Sequence, residues 1–171
     1  MYKRGFTIVE LIIVITVIGI LTVLGTVNLT NSQINARDAE RKSDIETIAI
    51  HLETFYNSGT DDSTTVGRYP SIEEMQGLAN QTKTLRDIDP KALNAPGKTG
   101  TSLIPTNWIM PITIDDYYYI PLREDGIYLC ITKDKACSNY ILGYKSEITK
   151  DIVELNSKNR GEVIDTNRVF E

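Results

Sequence analysis

Few residues in this chain combine a type and a spacing that could do chemistry. Its 171 residues include two cysteines, Cys130 and Cys137, and one histidine, His51. A tetrahedral zinc site takes four ligands, usually Cys or His, so a structural zinc is not expected. Neither cysteine lies in a nucleophile motif. His51 sits in a helical pattern between Ile50 and Leu52 and reads as a surface residue. Asp115-Asp116 and Glu124-Asp125 could offer oxygen ligands to calcium, but their spacing matches no binding loop, and turn chemistry explains them better. There is no phosphate-cradling glycine loop, no metal-spaced histidine cluster and no serine-hydrolase elbow. Asn28-Leu29-Thr30 and Asn80-Gln81-Thr82 fit the glycosylation sequon, a pattern short enough to arise by chance. The expectation is a protein that is not an enzyme and needs no metal or cofactor.

The residue that asks for an explanation is Glu10. It lies near the start of an apolar segment: within Phe6–Val27, 15 of 22 residues are large and apolar, and from Leu11 to Ala36 there is no Asp, Glu, Lys or Arg. About 20 such residues span a bilayer as a helix. The run is too long for the core of a cleaved secretory signal, and no small-x-small site follows it. As a plain membrane anchor it fits, with Lys3 and Arg4 holding the N-terminus in the cytoplasm and the rest of the chain outside. A plain anchor does not explain the carboxylate, which is costly in lipid. Glu10 is either a residue near the interface or a group that meets a positive partner in an assembled state.

The stretch Gly5-Phe6-Thr7-Ile8-Val9-Glu10-Leu11, behind a basic leader and ahead of the apolar run, resembles the class III signal of type IV pilins and pseudopilins. The resemblance is specific over roughly the first 60 residues and extends further only by layout. It implies that a prepilin peptidase cuts between Gly5 and Phe6, so that residues 1–5 are a cleaved leader, and methylates the new amine of Phe6. It also implies that Glu10, the fifth mature residue, pairs with the amine of a neighbouring subunit's Phe6 during filament assembly. In a low-dielectric core the desolvation of both charges offsets much of that attraction, so the pair serves registry more than stability.

Elements must position these groups. After Val27 the pattern turns amphipathic: Ala36, Ala39, Ile45, Ile48, Ala49, Leu52, Phe55 and Tyr56 recur at helical spacing, while Asp38, Arg41, Lys42, Asp44, Glu46 and Glu53 fall on other faces. One helix from Phe6 to Asn57, closed by Gly59, would be about 78 Å long at 1.5 Å per residue. Its segment 6–35 is expected to be the membrane and polymerisation half. Gly19 and Gly25 are its weak points.

Residues 36–171 are expected to form an extracellular head: an amphipathic helix half at 36–57, a loop region at 58–113 with a short helix near Ile72–Asn80, and an antiparallel sheet and C-terminal segment in 114–171. The predicted strands are Ile114–Leu122, Ile127–Thr132 after an Asp125-Gly126 turn, Tyr140–Lys145 and Glu162–Phe170. Tyr117–Tyr119 should alternate between core and surface. The Ile45/Ile48/Leu52/Phe55 face would pack on the sheet, an α+β arrangement, which is also the layout of pilin heads. Cys130 and Cys137, outside the cytoplasm, are either a disulfide or two free thiols. The resemblance favours the bridge, since pilin heads often carry one, though usually around a larger loop.

The charge balance, 18 basic against 23 acidic residues for a net −5, argues against direct nucleic-acid binding. The resulting expectation is a structural subunit of a type IV pilus. It would begin as a single-pass precursor in the cytoplasmic membrane and end in a homo-oligomeric extracellular filament built by the pilus assembly machinery. Adhesion, twitching motility or DNA uptake are the outputs the resemblance implies. The alternatives are a pseudopilin of a type II secretion or competence system and an anchored extracellular binding module that never polymerises.

Overall fold

The computed structural model describes residues 5–59, 65–106, 113–124, 129–133 and 137–158, apart from the side chains of residues 24–28. The chain divides into two compact units, residues 1–36 and 37–171.

Helix α1, Ile8–Ser58, runs through 51 residues. The first unit holds its N-terminal part, with apolar side chains on all faces. In the second unit the helix acquires one buried stripe. Ile45, Ile48, Ala49, Leu52 and Phe55 are buried, and Tyr56 packs beside them. The expected stripe is corrected at its upper end. Ala36 and Ala39 are exposed, whereas Asp38 and Arg41 are buried. Positions 38, 41, 45, 48, 52 and 55 form the helical row, and charge was a poor guide to which face points inward. The helix stops as expected. Gly59 takes φ 65° and donates its N–H to the Phe55 carbonyl at 2.7 Å. A Cβ there would come within 2.5 Å of Thr65 Oγ1, so only glycine fits this left-handed cap.

Beyond the helix come a 3-10 turn at Glu73–Met75, helix α2 at Gly77–Thr84 and a second 3-10 turn at Pro90–Leu93. Among the described residues four strands follow: β1 Leu103–Pro105, β2 Tyr117–Leu122, β3 Asn139–Lys145 and β4 Ile152–Asn156, in the spatial order β1-β2-β3-β4. The fold class is α+β, but the sheet is mixed rather than antiparallel: β1 pairs parallel with β2, and the other two pairs are antiparallel.

Strand β2 begins three residues later than its pattern suggests. Thr113 donates its N–H and hydroxyl to Asp116 Oδ2 at 3.1 and 2.6 Å, closing a side-chain turn over the residues read as strand. The strand predicted at 127–132 is replaced, among the described residues, by one bridge from Leu129 to Leu122. Cys130 and Ile131 instead turn their carbonyls to the N–H groups of Ile72 and Glu73, each at 3.0 Å. The Asp125-Gly126 turn and the strand at 162–170 lie outside the described residues. β4 is a strand that no expectation covered.

Tyr117, Tyr119, Tyr140, Leu142 and Tyr144 face the α1 stripe. Tyr118, Ile120, Leu122 and Ile141 form a second buried cluster on the opposite face. Tyr117–Tyr119 are therefore buried on both faces, which corrects the core-and-surface alternation. Gly143 pairs with Tyr118, whose ring crosses it. A Cβ on Gly143 would lie 2.6 Å from that ring and from the Val153 carbonyl. The Tyr118 hydroxyl ends on Glu154 Oε1 at 2.7 Å.

Candidate functional site

The start of α1 carries the residues singled out by the sequence. Gly5, Phe6 and Thr7 precede the helix, and a Cβ on Gly5 would meet nothing within 4 Å. Phe6 is 87% exposed. The Gly5–Phe6 bond thus lies in open, non-helical chain.

Thr7 is the N-cap. Its N–H and its hydroxyl donate to Glu10 Oε2 at 2.9 and 2.7 Å, and the Glu10 N–H returns to Thr7 Oγ1 at 3.3 Å. This is a capping box, in which the backbone N–H groups of Thr7 and Glu10, otherwise unpaired at the helix start, are each satisfied by the other residue's side chain. The helix N-terminus also favours a carboxylate there. Thr7 is the residue of this candidate site that reasoning from charge alone missed, although Thr-x-x-Glu before an apolar run is its sequence signature. Among the described residues no hydrogen bond joins Glu10 to Phe6.

From Ile8 to Val23 every large apolar side chain is exposed. The polar interruptions do not break this surface. Thr16 Oγ1 donates to the Ile12 and Ile13 carbonyls at 3.0 and 2.8 Å, and Thr22 Oγ1 to the Ile18 carbonyl at 2.8 Å. Each hydroxyl is satisfied by the helix itself, as lipid or an apolar partner requires. Among the described residues no helix is long and apolar enough to cross a membrane.

In the head, Cys130 and Cys137 form a disulfide with a Cα–Cα distance of 5.6 Å, and both are fully buried. Tyr69 donates its N–H to the Cys137 carbonyl at 2.7 Å and Ile72 to that of Cys130, so the bridge anchors the connection after α1. His51 is half-buried on α1. The carboxylates considered for calcium are used otherwise. Asp116 closes its turn, and Asp115 pairs with Lys98 at 2.8 Å. Glu124 is exposed, and Asp125 lies outside the described residues. Among the described residues no group of three or more His, Cys, Asp or Glu could hold a metal ion. Asn80 is exposed within α2, while the Asn28 side chain is not described.

Residues 1–26 match the family model for the prokaryotic N-terminal methylation motif. That match supports the type IV pilin and pseudopilin family. It indicates a structural protein made as a membrane-anchored precursor and processed by a prepilin peptidase. Gly5, Phe6, Thr7 and Glu10 all fall inside the matched segment. No curated protein and no solved structure matches the chain.

Proposed function

We propose that this chain is a pilin, a structural subunit of a type IV pilus. The observation that carries the reading is the methylation motif on a helix whose apolar side chains are exposed on every side from Ile8 to Val23. A surface of that kind needs lipid or other helices around it. Lipid would hold segment 6–35 before assembly, and the same segments of neighbouring subunits would cover it afterwards.

Peptidase cleavage after Gly5 frees the amine of Phe6, which is then methylated. Thr7 occupies Glu10 Oε2 within the same chain, leaving Oε1 for the amine of a neighbour. The capping box thus presents the carboxylate in a fixed direction before the partner arrives. Adhesion, twitching motility or DNA uptake would follow from the assembled filament, with heads outside the cell.

Intact-mass measurement tests the reading. The expected mature chain starts at methylated Phe6, and Gly5→Ala should leave the leader in place. Glu10→Ala should still be processed and inserted but should lower the yield of sheared filaments at least tenfold. A wild-type chain that keeps residues 1–5 overturns the reading. A processed chain absent from sheared filaments would instead favour a pseudopilin.

A further inference from the structure

The buried row of α1 begins with two charges, and every one of their partners in the head is polar. The Asp38 carboxylate accepts four hydrogen bonds: from Ser146 Oγ at 2.6 Å, the Glu147 N–H at 2.8 Å, the Ile148 N–H at 3.1 Å and Arg41 Nη1 at 3.0 Å. Arg41 donates Nε to the Ile114 carbonyl at 2.9 Å and Nη1 to Glu147 Oε2 at 3.2 Å. Arg37 forks onto both oxygens of Glu147, at 2.9 and 2.6 Å. Asp38 is 7% exposed and Arg41 only 1%. One turn of α1 is thereby tied to the β3–β4 turn and to the chain ahead of β2.

We propose that Asp38, Arg41 and Glu147 form a clasp that stops unwinding of α1 at Arg37. The described residues of α1 before Arg37 bury no side chain against the rest of the chain, so only lipid, detergent or neighbouring helices hold that segment, and it is marginal wherever they are lost. Unwinding from the free end would therefore run inward until something in the head holds the helix. Among the described side chains of α1, the first buried apolar one is Ile45. Without the clasp the helix would be held about two turns later, roughly 10 Å further along its axis.

Apolar side chains at 38 and 41 would also be buried, but a greasy contact slides. A carboxylate with four donors cannot shift without breaking several hydrogen bonds at once, so the clasp fixes register as well as position. The use of such a stop rests on the filament reading: tension, or a change of solvent, that loosens residues 8–36 would end at the head instead of entering its core.

Hydrogen exchange read by mass spectrometry on the full chain in detergent micelles tests the clasp without requiring filaments. Asp38→Asn should speed exchange at residues 38–44 at least tenfold and leave 48–58 and β3 unchanged. If Asp38→Asn fails to fold, Ser146→Ala, which removes one of the four donors, should show the same split at about threefold. Unchanged exchange at 38–44, or equal acceleration across the whole head, overturns the proposal. Loss of the filament reading would show as a retained leader and would leave this exchange pattern untouched.

Discussion

Asp44 offers a test of the head's electrostatics that needs no knowledge of function. It is half-buried on α1, and its Oδ2 accepts the Tyr117 hydroxyl at 2.7 Å. Burial pushes its carboxyl from 3.8 to about 6; Glu40 and Asp89 add to the rise, while the Tyr117 hydrogen bond and Lys91 oppose it. The folded chain therefore binds this proton more tightly than the unfolded chain does. Between about 4 and 6 the folded state holds more protons, so this group makes stability fall as pH rises through that window, with the full cost present above it. Asp44→Asn keeps the shape and an oxygen for Tyr117 but removes the charge. Expressed in full, the displacement corresponds to about 3 kcal/mol. Water still reaches half of the side chain, so screening should reduce the gain to about 1 kcal/mol. That is a rise of about 2–4 °C in midpoint for a chain of this size. The assay is thermal or urea unfolding of wild type and Asp44→Asn in one detergent between pH 4 and 8. The variant should be more stable at pH 7.5 and nearly equal to wild type at pH 4. A variant that is neutral or weaker at pH 7.5, with an unchanged pH profile, would refute the argument. Asp38, Glu74 and Glu147 act in the opposite sense. Burial raises Asp38 and Glu74, but their hydrogen bonds and arginine partners outweigh it, and the Arg37 hydrogen bond lowers Glu147; all three lie below the usual carboxylate range, so they stabilise at neutral pH and lose that effect as pH falls below about 4. They are common to both proteins and cancel in the difference.

Gly143→Ala should destabilise the head by about 1–3 kcal/mol, because the added methyl meets the Tyr118 ring and the Val153 carbonyl at 2.6 Å; urea unfolding checks this, and Tyr118→Leu in the same chain should recover part of the loss. Replacing both Cys130 and Cys137 by Ser should cost about 2–3 kcal/mol from loop-closure entropy for a sequence separation of 7. Exchange at Tyr69 and Ile72, whose N–H groups bond to the two cysteine carbonyls, should rise before that of β3.

The candidate site could be proposed from the sequence because it is built from neighbours. Gly5, Phe6 and Glu10 lie within six consecutive residues, and their meaning depends on order along the chain, which a matching motif over residues 1–26 reads directly. Thr7 was legible in the same way, but only to a reader looking for a helix cap instead of a charge. The Ile45/Ile48/Leu52/Phe55 row was visible for a similar reason. An apolar period of 3.6 is a local property, and the core it seeks can be inferred before the partner is known.

By itself the sequence determined a long helix ending at Gly59, an apolar first half with one carboxylate near its start, and a head of mixed helix and strand. Those follow from backbone preferences and hydropathy within one window. Only the tertiary structure decided that Asp38 and Arg41 point inward, since a charge is buried only when distant groups satisfy it, here Ser146, Glu147, Ile148 and Ile114. It alone decided that Tyr117–Tyr119 are buried on both faces, because alternation along a strand does not reveal whether its second face is covered. The parallel pairing of β1 was equally hidden: three residues carry too little pattern to name their neighbour, and pairing is chosen by the whole sheet.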